Sequence, residues 1–344
     1  MNAWEDTVLV GIYTITPLHL GSGQVSGAVD LPIARDSATG FPLIPATSIK
    51  GVARETIQMA ASRDNDGDQL VTNLFGKAID AGLKKGESGD ESDEGNETVA
   101  ETSAGQLCFS EARMIAYPAR ALNRPFLHIT CPLILERLQR ESRVFGIDFD
   151  VAFTPPAQPD KVWASVSDAT LNAQPLVIED LLVEGGQVVS SGETRTLAEK
   201  LAGLIAPEDQ ATRDRFIDGL VVLPDAVFQE LISRIVPIRA RTQLTGGKTT
   251  DKWRNEDGEI ESGNLWYEEH LPSDCLFTTF VGARRHWRGP GAQGGPTGEK
   301  PVAMFQRYDA ALKYLQIGGD ETVGHGICYW RFAETGNSGG GDLA

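Results

Sequence analysis

One short stretch of the chain, Pro17–Arg54, holds a glycine-rich loop, a lone acid and a pair of bases. Asp30 follows the loop Gly21–Gly27, and a lone carboxylate can hold a hard divalent cation together with water and phosphate oxygens. Lys50 and Arg54 are four residues apart on a predicted helix, so they share one face. They lie in its first turns, where free backbone N–H groups also attract anions. Together these features predict a module that grips RNA.

Each of these residues also has an ordinary structural interpretation. A lone aspartate such as Asp30 is most often a turn residue, and a Lys/Arg pair is usually a solvated helix face. His19 ends a predicted strand, where a histidine is commonly structural, although its unperturbed pKa of about 6.5 also suits a general base or an RNA contact. Ser22 in the glycine loop is predicted to contact RNA, and His325, between two glycines, to line the RNA groove.

Basic residues recur at two places later in the chain, one Thr-rich and interrupted by glycines, the other beside a tryptophan that can stack on a base. The RNA contacts predicted there are Arg239, Arg241 and Lys248 in the first place and Arg284 and Arg285 in the second. A solvated surface cluster explains the second group nearly as well.

The overall composition is acidic, which normally counts against nucleic-acid binding. The formal net charge is −17 at pH 7, and the segment Gly86–Glu101 supplies seven acids and no base. Because screening cuts exposed interactions off within roughly 8–10 Å, local basic groups decide where phosphate binds. The acidity therefore lowers the expectation of RNA without removing it.

Several classes of protein are disfavoured by composition. With 41% hydrophobic and 23% charged residues, the 344-residue chain has the profile of a soluble globular protein. It has no bilayer-length apolar run and no basic, apolar targeting start, so we expect a cytoplasmic protein without a membrane partner. Its four isolated cysteines argue against a structural zinc site and fit reduced thiols. The glycine loop lacks the dinucleotide-binding spacing, and no Walker A sequence is present, so nucleotide-dependent chemistry is not expected.

Hydrophobic periodicity and turn residues predict the elements that must position the candidate residues. They are a strand over Thr7–Ile15, a helix capped by Thr47 or Ser48, strand-like material over Leu107–Ile115 and Ala119–Leu122, helices over Cys131–Leu138, Leu197–Ile205 and Ala226–Ile235, a helix over Val302–Leu315 that stops at Gly318–Gly319, and a last strand over Ile327–Phe332.

The domain layout is predicted to be simple. Residues 1–344 form one domain, with an acidic, disordered insertion over residues 84–104 and a flexible tail over residues 333–344. Residues 239–270 form an extended hairpin, because two β-capable arms flank a polar, glycine-containing tip.

The order of these elements indicates an α+β fold with a ferredoxin-like β-α-β-β-α-β core, as in RNA-recognition modules, carrying large insertions. Three motifs carry a resemblance to a known family. They are Asp30-Leu31-Pro32-Ile33 followed by Lys50-Gly51-x-x-Arg54, then Leu265-Trp266-Tyr267-Glu268-Glu269, and the glycine-rich Gly318–Gly326. Together they resemble the RAMP proteins of type III CRISPR complexes, most closely the backbone subunit of the Cmr (type III-B) effector.

The resemblance implies an RNA-guided endoribonuclease. Asp30 would be the catalytic residue that positions or activates a ribose 2′-hydroxyl, or helps to hold a divalent ion, Mg²⁺ or Mn²⁺, bound mainly by RNA phosphates. The implied partners are CRISPR guide RNA, target RNA, further copies of the chain stacked head to tail, and other effector subunits. The hairpin would act as a thumb that splays a base pair, and Tyr267–Glu269 would assist at a neighbouring subunit's site or simply form the hairpin base.

Two alternatives remain open from the sequence. One is a structural guide-RNA-binding backbone subunit that does not cleave. The other is a stand-alone RAMP endonuclease that processes precursor guide RNA, which would require a clear His/Tyr/Lys catalytic set and basic overall character. The chain has neither, so this alternative ranks third.

Overall fold

The predicted first strand lies at the centre of a large mixed sheet. The structure, a computed structural model, describes residues 3–23, 29–62, 66–77, 104–122, 124–151, 153, 161–165, 176–183, 188–244, 252–254, 260–262, 265–285 and 299–334. The predicted acidic insertion, apart from Ala104, lies outside these residues, as do Lys248 and the tail beyond Glu334. No helix in the described part is long and apolar enough to cross a membrane.

The elements follow the chain in this order. The strands are β1 (Glu5–Thr14), β2 (Leu43–Ile44), β3 (Leu107–Phe109), β4 (Ala112–Arg120), β5 (Phe126–Thr130), β6 (Val162–Ala164), β7 (Leu176–Ile178), β8 (Leu181–Val183), β9 (Val188–Ser190), β10 (Leu220–Val222), β11 (Ile238–Thr242), β12 (Lys252–Arg254), β13 (Ile260–Ser262), β14 (Leu265–Glu269), β15 (Leu276–Ala283), β16 (Tyr314–Gln316) and β17 (Ile327–Phe332). The helices are α1 (Ala46–Ala61), α2 (Gly67–Phe75), α3 (Pro132–Phe145), α4 (Gly192–Ala202), α5 (Gln210–Gly219), α6 (Asp225–Arg234), α7 (Pro301–Gln306) and α8 (Asp309–Leu312).

The main sheet has the strand order β16-β17-β1-β15-β4-β5-β10-β6-β9. Strand β1 pairs antiparallel with β15 on one side and β17 on the other, and β15 pairs antiparallel with β4. Leu9, Ile12, Phe277 and Trp330 on these strands are at most 1% exposed, so the β-branched and aromatic residues of the central strands form much of the core. Along the chain, the elements of this central part follow in the order β1, α1, β4, β15, α7 with α8, and β17.

Helix α1 has the predicted apolar spacing but not the predicted cap. Ile49, Ala53 and Ile57 are buried, at the helical interval the sequence shows. The helix begins one residue before Thr47, its N-cap position is Pro45, and no side chain caps it. The expectation of a Thr47 or Ser48 cap is therefore wrong, because the fixed backbone angle of a proline already starts the turn.

The predictions for the later helices are confirmed in two cases and need correction in two. Helix α3 starts at Pro132, as predicted, and continues to Phe145, beyond the predicted end at Leu138. Helix α6 covers Asp225–Arg234, within one residue of the predicted bounds. Helix α4 begins five residues earlier than predicted, because the Ser191 side chain accepts hydrogen bonds from the backbone N–H groups of Glu193 and Thr194. The predicted helix Val302–Leu315 is two short helices followed by strand β16, which pairs with β17 at the sheet edge.

Glycines in the loop after β16 are required by close approach rather than by a helix end. Gly318 has a φ of +83°, and a Cβ there would lie 2.2 Å from the His19 carbonyl oxygen. The Gly319 N–H donates to that same carbonyl (3.0 Å), and the Gly326 N–H donates to the Pro17 carbonyl (2.8 Å). The loop Gly318–Gly326 therefore packs directly on the chain that follows β1.

The segment predicted as a hairpin consists of antiparallel strands. Strands β11 and β14 pair with Ile238 opposite Glu269 and Thr242 opposite Leu265, and farther out β12 pairs antiparallel with β13. The base of this hairpin is joined to the protein by backbone hydrogen bonds, including the bond from the Glu269 N–H to the Leu31 carbonyl (3.1 Å).

Candidate functional site

Asp30 is attached to the base of the hairpin. Its Oδ2 accepts a hydrogen bond from the backbone N–H of Tyr267 (2.8 Å), and its own N–H donates to the Tyr267 carbonyl (3.1 Å). The next residue, Leu31, forms a parallel bridge with Glu268. No described residue donates a hydrogen bond to Asp30 Oδ1, and the side chain is partly exposed. One carboxylate oxygen is thus fixed while the other is available to a ligand.

Glu269, at the end of β14, holds the chain that follows Asp30. Its Oε2 accepts from the Ile33 N–H (3.0 Å), and its Oε1 pairs with Arg35 Nη2 (3.1 Å). Both carboxylate oxygens of Glu269 are thus bonded to groups of the same chain, which is the arrangement of a residue with a structural role. Catalytic assistance by Glu269 at a neighbouring subunit remains a prediction.

His19 contacts the same strand. Its Nδ1 lies 2.7 Å from the Glu269 carbonyl oxygen, and since a carbonyl only accepts, the ring donates through Nδ1–H. The ring is 8% exposed, as expected of a structural histidine. Because His19 and Asp30 contact backbone groups two residues apart on β14, about 7 Å of strand separates their attachment points.

Arg241 is held by two carboxylates. Its Nε donates to Glu268 Oε2 (2.9 Å), and its Nη2 pairs with Asp320. The Glu268 carboxylate also accepts from the indole N–H of Trp266. The Arg241 guanidinium therefore has partners within the protein, and the RNA contact predicted for it would need to share or replace them.

Two histidines complete this cluster. His270 is 1% exposed, and its Nε2 lies 3.3 Å from Asp320 Oδ2. His325 Nδ1 lies 3.6 Å from the same oxygen, while His325 Nε2 accepts from Arg239 Nη1 (3.2 Å). Asp320 adopts a left-handed backbone with a φ of 64°, which an aspartate tolerates better than most residues. The predicted residues Arg239, Arg241 and His325 are thus brought into one cluster.

Burial and charge set the protonation states in the cluster. Burial lowers the pKa of His270, and the nearby His19 and His325 rings and Arg239 act in the same direction, against the hydrogen bond to Asp320. Burial alone would raise the pKa of Asp320, but the hydrogen bond from His270 and the positive charge of Arg241 hold it below its usual value. The cluster therefore favours a neutral His270 beside an ionised Asp320.

A second group of predicted residues lies at α1. The pKa of the Lys50 ammonium is lowered, first by burial and further by the positive charges of Arg54 and Arg284. Arg284 follows β15, and its backbone N–H donates to the Gln106 carbonyl (2.9 Å). The structure thus joins two basic segments that are far apart in sequence into one patch, Lys50–Arg54–Arg284, whose mutual repulsion an anion would relieve.

Two of the remaining predicted contacts, Ser22 and Arg285, are at least partly exposed. Ser22 is exposed, and its Oγ donates to the Pro32 carbonyl at 3.3 Å. Arg285 is partly exposed next to Arg284, and Lys248 lies outside the described residues. An RNA contact by these three residues remains a prediction.

The described residues around Asp30 suit an ion that RNA largely coordinates. Asp30 supplies a single available oxygen, and it does not belong to any group of three or more described ligand residues. Ions such as Mg²⁺ keep several waters and commonly bind through one or two carboxylates together with substrate phosphates. The Mg²⁺ or Mn²⁺ predicted near Asp30 would thus be held mainly by RNA phosphates and water, with Asp30 Oδ1 contacting it through a bound water.

His270 and Asp320 are site residues that were not predicted from the sequence. Signals for both were present, since Asp320 lies within the glycine-rich segment Gly318–Gly326 and His270 directly follows Glu268-Glu269. Neither signal indicated that the two side chains meet, because 50 residues separate them along the chain.

Comparison with known proteins identifies the family. The model of the RAMP superfamily matches residues 11–329. The chain belongs to the RAMP superfamily. This RAMP protein is 27% identical to "CRISPR system Cmr endoribonuclease Cmr4" of Pyrococcus furiosus over 96% of its own length and 97% of the relative's. It is 25% identical to "CRISPR system CMR subunit Cmr4" of Saccharolobus solfataricus, over 93% and 94% of the two chains.

Solved structures show the same fold. Oligomeric Cmr4 from Pyrococcus furiosus superposes on this RAMP protein with a TM-score of 0.65 and 21% identity, covering 97% of this chain and all of the other. A chain of the type III-B Cmr-beta complex bound to cognate target RNA gives a TM-score of 0.62 at 20% identity, covering 96% and 98%. The α+β architecture predicted from the sequence is confirmed by these likenesses.

Proposed function

We propose that this RAMP protein is a backbone subunit of a type III-B effector that binds guide RNA and cleaves complementary target RNA. The observation that carries the proposal is the attachment of Asp30 to the hairpin base, with Oδ2 fixed by Tyr267 and Oδ1 available. The near full-length similarity to a relative named as an endoribonuclease supports it.

The strand order supports an RNA-recognition type of core. The central strands β17-β1-β15-β4 are antiparallel, with α1 between the first and second strands of the chain path and α7 with α8 between the third and fourth. We interpret this centre as the ferredoxin-like core, and strands β5, β10, β6 and β9 as an extension of its sheet.

The hairpin is assigned the role of a thumb. Strands β11 and β14 form its base, and a thumb that enters a guide–target duplex displaces a nucleotide and bends the target backbone. Because Asp30 is attached at that base, the bent phosphate would be placed beside its Oδ1. Correct positioning of the 2′-oxygen and the phosphorus can supply much of the reduction in the activation barrier. A single carboxylate can therefore suffice for cleavage.

The reaction is an in-line transesterification. The ribose 2′-oxygen attacks the adjacent phosphorus, the bond from phosphorus to the 5′-oxygen breaks, and the products are a 2′,3′-cyclic phosphate and a 5′-hydroxyl. Asp30 Oδ1 orients the 2′-hydroxyl and accepts its proton, directly or through water, and water returns a proton to the leaving oxygen. A divalent ion at the phosphate, when bound, supplies charge neutralisation there.

The basic patch Lys50–Arg54–Arg284 is assigned to guide-RNA phosphates. Its like charges are brought together beside α1, and a phosphate bound between them would relieve their repulsion. Successive copies would stack head to tail along the guide, since a heterologous contact whose rotation does not close builds a filament.

The test is cleavage of matched target RNA by the assembled effector. Wild-type protein should release fragments with 2′,3′-cyclic phosphate ends. Asp30→Asn should bind the target but cut at least about 100-fold more slowly, while Glu230→Gln, an exposed acid on α6, should cut normally. Target binding without any cleavage by the wild type would instead establish a structural backbone subunit.

A further inference from the structure

The cluster of His270, Asp320 and His325 has no part in the proposed cleavage step. We propose that it is a binding site for a divalent first-row transition-metal ion of the Zn²⁺ or Co²⁺ type. One donor atom of each residue lies within 4.8 Å of the donor atoms of the other two. The site uses no cysteine, so the cysteine pattern of the sequence could not reveal it.

The spacing of the donor atoms suits such an ion. Asp320 Oδ2 lies 3.3 Å from His270 Nε2 and 3.6 Å from His325 Nδ1. Ligand bonds of about 2.0–2.1 Å at tetrahedral angles place neighbouring donor atoms about 3.3–3.4 Å apart. The donor atoms all lie within 4.8 Å of one another, so His270 and His325 would move closer together to bind one ion.

The donor set selects the class of ion. Two imidazole nitrogens and one carboxylate suit Zn²⁺, Co²⁺ and Ni²⁺, whereas Mg²⁺ and Ca²⁺ prefer oxygen ligands. This site therefore differs in chemistry from the ion expected at the RNA phosphates near Asp30.

An unsatisfied atom points to the same conclusion. His325 Nδ1, which faces Asp320, is buried and has no hydrogen-bond partner among the described residues. Buried polar atoms without partners are uncommon in folded proteins, and a bound ion can satisfy such an atom. An ion at this place would satisfy that nitrogen and the Asp320 carboxylate at once.

Two arginines compete with the ion. Arg241 pairs with both Asp320 and Glu268, so its guanidinium now supplies the positive charge at the site. Glu268 Oε2 lies 3.5 Å from His270 Nε2 and would be the fourth ligand once Arg241 releases it. Arg239, which donates to His325 Nε2, is exposed and free to turn toward solvent.

A bound ion would connect two elements of the proposed RNA site. His270 directly follows β14 at the hairpin base, while Asp320 and His325 belong to the loop Gly318–Gly326. The ion would thus fix the hairpin base to the loop and reduce their relative motion.

The experiment uses the full chain without a histidine tag and without RNA. Co²⁺ is titrated with visible absorption as the readout, and Zn²⁺ binding is measured by calorimetry. We expect one ion per chain, with the intense absorption of a four-coordinate Co²⁺ site. His325→Gln and Asp320→Asn should each weaken binding by at least about tenfold, and Glu230→Gln should leave it unchanged. Circular dichroism confirms that each variant is folded.

Arg241→Gln provides an independent readout. Removing the competing charge should enlarge the rise in Tm that Zn²⁺ produces, compared with the wild type. Absence of saturable binding, or wild-type affinity in folded His325→Gln protein, would overturn the proposal, as would a Zn²⁺-induced rise in Tm that Arg241→Gln abolishes. None of these measurements depends on RNA cleavage.

Discussion

Asp30 and the main chain of Tyr267 are joined by two hydrogen bonds, one in each direction. The Tyr267 N–H donates to Asp30 Oδ2 (2.8 Å), and the Asp30 N–H donates to the Tyr267 carbonyl (3.1 Å). Asp30 is therefore both the candidate catalytic carboxylate and an anchor of the hairpin base, and the two roles respond differently to substitution.

Asp30→Asn and Asp30→Ala should separate those roles. Both variants lose the carboxylate and with it target cleavage, but the asparagine oxygen can still accept from the Tyr267 N–H. Asp30→Ala should therefore lower the free energy of unfolding by about 1 kcal/mol more than Asp30→Asn, as expected for a partly exposed hydrogen bond. Urea denaturation of the two variants measures the difference. Equal stability would show that the hydrogen bond does not anchor the hairpin.

The patch Lys50–Arg54–Arg284 should bind guide RNA through phosphates. Arg54→Ala and Arg284→Ala should each weaken binding, and each lost contact should reduce the slope of log affinity against log salt by about 0.7. Fluorescence anisotropy across a salt series measures this. Arg195→Ala, which removes one exposed charge from α4, is the matched control and should leave the slope unchanged. If the patch does not contact RNA, the wild type, the two patch variants and the Arg195→Ala control would all give the same salt slope.

The outer part of the hairpin should be needed for cleavage but not for folding. Thr242 and Leu265 face each other across β11 and β14, so a two-residue Asn-Gly turn can replace residues 243–264. The shortened protein should keep its thermal stability and bind guide RNA nearly normally, because the α1 patch is untouched. Its effector should cut target RNA poorly and without regular spacing. Normal cleavage by the shortened protein would disprove the thumb role.

His128 should make stability fall in mild acid. Burial lowers its pKa from 6.5 to about 3 in the folded protein. Because this value lies below that of the unfolded chain, the neutral ring stabilises the fold fully above pH 6.5, and the contribution is lost as the pH falls toward 3.

The corresponding test compares the wild type with His128→Gln. Glutamine stays neutral and can still donate to the Asp274 carbonyl, which His128 Nε2 contacts at 3.1 Å. Within the window His128 contributes at most about 1.4 kcal/mol per pH unit to the wild-type slope, and the variant should be flatter by up to that amount. Urea unfolding at several pH values above the range of carboxylate titration provides the measurement. Identical slopes would assign the acid sensitivity to other groups.

Local sequence determined those elements whose stabilising interactions are themselves local. Strand β1, the start of α3 at Pro132 and strand β17 follow from β-branched runs, a proline at the first helical turn and a glycine boundary. The hairpin arms were also predictable, because two β-capable segments flank a polar, glycine-containing stretch at which the chain can turn back. The expected helix over Val302–Leu315 failed because Tyr314–Gln316 forms backbone hydrogen bonds with the open edge of β17.

Only the tertiary structure decided which candidate residues meet. Asp30 was recognisable from its motif, but its attachment to Tyr267 joins positions 237 residues apart. The same holds for Lys50 with Arg284, which are brought together where β15 pairs with β3. It also holds for His270 with Asp320, which are brought together by the packing of Gly318 against His19. Periodicity and spacing report only which face of an element a residue occupies. The distance between two elements is set by how the whole core packs, and no short segment contains that information.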